Sequence, residues 1–164
     1  MIETVKREVK LLSVSDKSEL SSADAELLDS AKEALNGAYA PYSKFHVAAA
    51  VLLENGVVVK GSNQENMAYP SGLCAERVAI FSASANYPGV AVKAISVTAK
   101  TDEFKLEHPV MCCGACLQSV SEYEKRYGNQ IRMILQGESG PIYIAEGTQT
   151  FLPFQFDGES LKKE

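Results

Sequence analysis

Cys74-Ala75-Glu76-Arg77 and, much later in the chain, Cys113-Gly114-Ala115-Cys116 are the residues whose types and spacing could do chemistry. Three soft thiolates can occupy three corners of a tetrahedron around zinc and leave the fourth corner open. Glu76, two residues from Cys74, is placed to move protons on whatever fills that corner. An open coordination position beside a proton carrier describes a catalytic metal site, because a structural site is normally closed by a fourth protein ligand. The ion and three thiolates together carry about −1, which weakens zinc as a Lewis acid. Arg77 can offset this by donating hydrogen bonds to the ligating sulfurs, and helix dipoles act in the same direction. With that help, water at the metal ionises near neutral pH and Glu76 receives its proton. The combination suits hydrolytic removal of an amine from an aromatic ring. Water attacks a ring carbon, a ring nitrogen gains a proton and the amine leaves protonated, with one carboxylate serving every transfer.

Both motifs fall where the pattern predicts helix starts, over about 74–86 and about 113–127, the second closed by Gly128. A helix start presents unpaired N–H groups and partial positive charge, which favour thiolate over thiol. An earlier helix is expected over about 23–36, with Ser22 as its cap, Leu27, Leu28, Ala31, Ala34 and Leu35 along one side, and Gly37 as its stop. Apolar Phe45 to Leu53, the turn Glu54-Asn55-Gly56 and then Val57-Val58-Val59 read as a hairpin. Residues 61–73 read as a polar loop, 94–101 as a buried strand and 102–110 as a charged loop. Strands over 131–135 and 141–145 flank a turn, and a short helical turn precedes Leu152-Pro153. This order predicts an α/β fold, a three-layer α/β/α arrangement around a five-stranded mixed sheet. Residues 1–22 read as an amino-terminal extension with a candidate edge strand among Val5, Val9, Leu11 and Val14; 23–156 form the catalytic domain and 157–164 a tail.

A chain of 164 residues is large enough to form one domain without disulfide staples. The first residues lack the apolar core of a signal peptide and no run approaches a membrane span, so a cytoplasmic address is expected. Cysteines there stay reduced and serve more often as metal ligands or catalysts than as cross-links. A net charge of −5, with Lys162-Lys163 as the nearest thing to a basic cluster, argues against a nucleic-acid partner. A small uncharged substrate fits this composition better.

The chain resembles the cytidine deaminases of the small, homotetrameric, three-cysteine class. The likeness is carried by Pro41-Tyr42-Ser43-Lys44-Phe45-His46-Val47-Ala48-Ala49-Ala50, Asn63-Gln64-Glu65-Asn66, Tyr69-Pro70-Ser71-Gly72-Leu73-Cys74-Ala75-Glu76-Arg77 and Cys113-Gly114-Ala115-Cys116-Leu117-Gln118. It spans about residues 24 to 156. The resemblance implies one zinc per subunit on Cys74, Cys113 and Cys116, with Glu76 as proton shuttle. It implies that Asn63 and Glu65 bind ribose hydroxyls, that Phe45 contacts the pyrimidine and that the Ala75 backbone reads the base edge. It further implies conversion of cytidine and 2′-deoxycytidine to uridine and 2′-deoxyuridine plus ammonia, for pyrimidine salvage. Leu152-Pro153-Phe154-Gln155-Phe156 matches a family segment that places a phenylalanine, here Phe156, in a neighbouring subunit's site. Three positions depart from the family: Cys112 stands for a usual proline, Leu117 for an arginine and Ala48 for a glycine.

Plainer readings compete. Two disulfides are disfavoured because adjacent Cys112 and Cys113 pair poorly with each other and nothing suggests secretion. A structural zinc site closed by Cys112 requires two adjacent residues to reach one ion. His108 is a rival ligand or a solvated loop residue, and His46 is expected to point outward from a strand. Asn63 and Glu65 read alone as turn caps, Phe45 and Phe156 as core or interface, and Arg77 as a surface ion pair worth under about 1 kcal/mol. Among activities, a blasticidin-type aminonucleoside deaminase is disfavoured by Glu65, which suits a free ribose hydroxyl. Polynucleotide editing is disfavoured by the acidic balance and the expected enclosure by Phe156. A non-catalytic zinc-stabilised interaction module is disfavoured by the open corner beside Glu76.

Overall fold

Strand β2 (Phe45–Leu53) carries alternating side chains that must be buried on both faces, so it belongs inside a sheet. Ala49, Val51 and Leu53 enter one apolar cluster, whereas Ala50 enters another on the opposite face, with Leu52 packed against it. The computed structural model describes residues 1–158; most of the expected tail, including Lys162-Lys163, lies outside the described residues. β2 pairs antiparallel with β3 (Val58–Ser62) on one side and with β4 (Val92–Thr101) on the other. The β2–β3 hairpin turns at Gly56, whose φ of 84° is a left-handed value that favours glycine, and Asn55 Oδ1 accepts from Val57 N at 3.1 Å.

β5 (Arg132–Gln136) runs parallel to β4, and the crossover between them contains helix α3 (Gly114–Tyr127). α3 ends as expected at Gly128, with φ 70° and its N–H bonded to Glu124 O. β6 (Ile142–Glu146) returns antiparallel to β5, and β1 (Leu12–Val14) pairs antiparallel with β6. The sheet order is β1-β6-β5-β4-β2-β3. The sheet therefore has six strands where five were expected. The added strand is three residues long, and Val5, Val9 and Leu11 stay outside it and exposed.

Helix α1 (Ser22–Ala34) covers one face, with Leu27, Leu28 and Ala31 against Ala50, Ala94, Ile134, Ile142 and Ile144. Its cap is Ser21, one residue before the expected Ser22, with Oγ accepting from Asp24 N at 3.2 Å. Arg132 Nε and Nη2 reach the Asp24 carboxylate at 3.1 and 3.0 Å and tie α1 to β5. Helix α2 (Ala75–Asn86) and α3 cover the other face over Val51, Ile95, Val97, Met133 and Leu135. The three-layer α/β/α arrangement is as expected. Among the described residues, no helix is long and apolar enough to cross a membrane.

Candidate metal centre and the cavity beside it

The two cysteine motifs sit at helix starts, each with its first cysteine in the N-cap position. Cys74 caps α2 in extended backbone and its carbonyl accepts from Val78 N at 3.1 Å; its side chain makes no capping bond. Cys113 does the same for α3, accepting from Leu117 N at 3.0 Å. Both sulfurs are thus released from capping and turned to other use. Gly61 of β3 lets α2 lie close to the sheet, since a Cβ there would fall 2.4 Å from Ala79 N and 2.8 Å from Ala75 O. Gly137 and Gly140 admit the loop before Cys113 in the same way, against the carbonyls of His108 and Glu107. Ser139 N donates to Leu106 O at 3.2 Å and fixes that loop on the β5–β6 turn.

These supports bring Cys74, Cys113 and Cys116 together, with sulfur atoms all within 4.8 Å of one another. Thiolates ~2.3 Å from a tetrahedral zinc lie ~3.8 Å apart, so small side-chain rotations close the cluster on an ion. Arg77 Nη2 approaches Cys74 Sγ at 3.8 Å. The Cys74 thiol is lowered to about 6, first by the hydrogen bond from the Cys116 thiol and further by Arg77, against the opposing effect of burial. Cys116 is pushed up, because that shared hydrogen bond and burial both retain its proton. Arg77 Nε is buried without a hydrogen-bond partner, which leaves an unused donor on the guanidinium that already touches the cluster. Three soft donors, one already ionised near neutral pH and supported by a cation, suit a thiophilic divalent ion.

Cys112 is not a member of the sulfur group. It is buried in the core shared with Ala75 and Leu117, and burial, with Glu76 nearby, pushes its thiol well up. Leu117 is buried in the same core, so an apolar side chain there meets an apolar environment. The disulfide reading finds no support, as all four cysteines are free.

A cavity of about 740 Å³ opens beside the sulfurs, with Cys74, Cys113, Glu76 and Arg77 in its lining. Glu76 is 4% exposed, so a carboxylate is held at the cavity wall largely away from bulk water. Ala75, fully buried, begins α2, where first-turn N–H groups lack intrahelical partners. Phe45, Asn63 and Glu65 also line the cavity. Asn63 Oδ1 accepts from Val47 N and its Nδ2 donates to Phe45 O, both at 2.9 Å, which pins the open end of β2. The amide retains one hydrogen and one lone pair for a ligand. Glu65 accepts from Tyr42 N at 3.0 Å, Ser43 N at 3.3 Å and the Ser43 hydroxyl. The Ser43 bond leads the effects that hold its carboxyl below the ordinary value. Both residues therefore cap local backbone and line the cavity together.

Phe156 lies elsewhere, 64% exposed, with its carbonyl accepting from Gln118 Nε2 on α3 at 2.8 Å. His46 and His108 are absent from the cavity lining. Tyr42, Tyr69, Leu73, Val110 and Met111 are also in the lining and were not singled out from sequence. Tyr42, Tyr69 and Leu73 stood within the motif blocks, whereas Val110 and Met111 carry no sequence signal.

The family model described as "Cytidine and deoxycytidylate deaminase zinc-binding region" matches residues 21–127. A cytidine deaminase of Halalkalibacterium halodurans is 38% identical over 135 residues, covering 82% of this chain and 95% of the relative. One from Sporosarcina psychrophila is 46% identical over 98 residues, covering 59% of this chain and 67% of the relative. The crystal structure of cytidine deaminase from Burkholderia pseudomallei superposes with a TM-score of 0.70 at 34% identity, over 84% of this chain and all (100%) of that one. The Mycobacterium tuberculosis enzyme gives 0.61 at 28% identity, over 80% of this chain and 95% of that one. With a matching zinc-binding region, relatives aligned across most of its length and the sulfur cluster where the motifs foretold it, the chain belongs to the cytidine and deoxycytidylate deaminase family.

Proposed function

We propose that this protein hydrolyses the exocyclic C–N bond of cytidine and 2′-deoxycytidine, giving uridine or 2′-deoxyuridine and ammonia in pyrimidine nucleoside salvage. The observation that carries the reading is buried Glu76 on the wall of a cavity large enough to admit a nucleoside, lined also by Cys74 and Cys113 of the three-sulfur cluster. Cys74, Cys113 and Cys116 would hold one zinc per subunit, which would supply Lewis acidity to activate water for attack. Glu76 would take one proton from the attacking water and pass it to the ring nitrogen, then take the remaining hydroxyl proton and pass it to the departing amine, so that two protons are accepted, two are delivered and the carboxylate ends as it began. Its near-complete burial keeps those protons from exchanging with solvent.

Other residues orient the substrate. Phe45 covers the pyrimidine, the Ala75 backbone reads its edge, and the spare capacity of Asn63 and Glu65 is directed to the ribose hydroxyls. Arg77 tunes Cys74 and, among the described residues, is the one cation in the cavity lining. A substrate carrying a 5′-phosphate would meet Glu65 and Glu76 with no cation but Arg77 among the described lining residues, which supports a nucleoside over a nucleotide. Assembly as a homotetramer, with Phe156 entering a neighbour's site, accounts for an aromatic residue left exposed outside its own cavity.

The test is to incubate purified protein with cytidine, 2′-deoxycytidine, deoxycytidylate and blasticidin, to follow the ultraviolet change of deamination and to measure bound metal. Turnover of the two nucleosides with about one zinc per chain is expected. A metal-replete protein inert on both nucleosides overturns the proposal.

A further inference from the structure

We propose that Gln118 is a positioning residue for Phe156, holding the carboxy-terminal arm on the outer side of α3 so that its aromatic ring is presented to a second copy of this chain. The inference rests on the reading that Phe156 completes a neighbour's site. Gln118 Nε2 donates to the Phe156 carbonyl at 2.8 Å, two residues beyond Cys116 on the same helix. The contact fixes the backbone of Phe156 and leaves its ring uncommitted, at 64% exposure. An aromatic kept for the stability of its own subunit would show the opposite pattern, with the ring buried.

The residues on either side are held as well. Thr148 Oγ1 donates to Gln155 Oε1 at 3.1 Å, and Thr148 is itself fully buried and anchored by its N–H at 3.1 Å to Glu124 of α3. Lys125 Nζ donates to Asp157 O. Residues 155, 156 and 157 are thus each tied to α3 or to a residue that α3 anchors. Such an arm is ordered before it meets a partner, which removes an entropic cost from assembly and from substrate closure. The start of α3 contributes Cys113 and Cys116 to one site, and its outer side aims Phe156 at another. One helix would couple the geometry of two active sites.

The test is a double-mutant cycle on the zinc-loaded protein. Phe156→Ala is expected to raise KM for cytidine. Gln118→Ala, and the similarly shaped Gln118→Met, are expected to raise KM about fivefold with kcat and zinc content retained, the effect of one lost hydrogen bond. Adding Gln118→Ala to Phe156→Ala should raise KM no further, since Gln118 acts only through that ring. A KM unchanged by Phe156→Ala overturns the reading beneath the inference. A KM that responds to Phe156→Ala but not to Gln118→Ala or Gln118→Met overturns the inference itself. So do independent, multiplying effects in the double variant, or a loss of zinc in both Gln118 variants.

Discussion

Arg77 Nη2 stands 3.8 Å from Cys74 Sγ, across the first turn of α2. The relationship gives a residue next to the proposed proton shuttle a separate task, the electronic support of a thiolate. The folded-state value of Cys74 is depressed from an ordinary 9.0 to about 6. Its thiolate is therefore present at neutral pH and is lost as the pH falls through about 6.

Arg77→Gln removes the charged donor, so the Cys74 midpoint should move up. Peptide mapping after alkylation of zinc-stripped protein across pH measures that midpoint for Cys74 alone. Substitutions of such outer-sphere partners typically cost about 10–100-fold in metal affinity or activity, and a loss in that range is expected. An unchanged alkylation profile would show that the guanidinium does not govern the sulfur.

Metal removal should loosen the fold as well as stop the reaction. Cys74 opens α2, whereas Cys113 and Cys116 belong to the start of α3, so an ion clips together two elements far apart in sequence. Binding at a thousandfold excess over Kd stabilises by about 4 kcal/mol, which corresponds to roughly 10 °C in Tm for a chain of this size. Chelation should lower Tm by that order and re-addition of zinc should restore it. Because thiolates bind the ion and thiols do not, zinc retention should weaken towards acid pH.

Much of this site was legible in the chain because it is local. The N-cap positions of Cys74 and Cys113 and the left-handed stop at Gly128 follow from short patterns that the backbone must obey. The sixth strand was legible only as a candidate edge strand among Val5, Val9, Leu11 and Val14, of which Val14 alone lies in it. β1 spans only Leu12–Val14, too short to show alternation, and it is stabilised by β6, more than a hundred residues later. Gly61 was hidden for a related reason, since its extended strand backbone gives no local cue and its importance lies in what packs above it.

Gly61 makes a sharp test of how the site is held. An added Cβ would meet the backbone of α2 at Ala79 N and Ala75 O, which cannot rotate away. Gly61→Ala should destabilise by about 1–3 kcal/mol through overpacking and should displace Cys74, Ala75 and Glu76 together. Gly56→Ala supplies the comparison, because nothing lies within 4 Å of a Cβ there and its cost arises only from a φ of 84°. Both variants should melt earlier, measured by thermal denaturation. Zinc retention and kcat should fall only for Gly61→Ala. Equal losses in both would mean that the approach of α2 to β3 does not set the site.

Glu65 caps the Tyr42-Ser43 backbone and lines the cavity, and the two roles can be separated. Its carboxyl is held below the ordinary 4.5, led by the Ser43 hydroxyl bond. A depressed value means that the ionised form's contribution is complete above 4.5 and is lost only as the pH falls through the lower folded value. Between pH 5 and 8, KM should therefore show no dependence on Glu65 titration. Ser43→Ala removes one of the three bonds that anchor the turn, keeps the two from backbone N–H groups and leaves the carboxylate available to ribose, so a small rise in KM is expected. Glu65→Gln removes a charged hydrogen bond worth about 1.5–3 kcal/mol, a rise in KM of roughly 10–100-fold. If both substitutions change KM equally, Glu65 serves only to hold the turn, and the ribose must be recognised by Asn63 or by groups elsewhere on the wall.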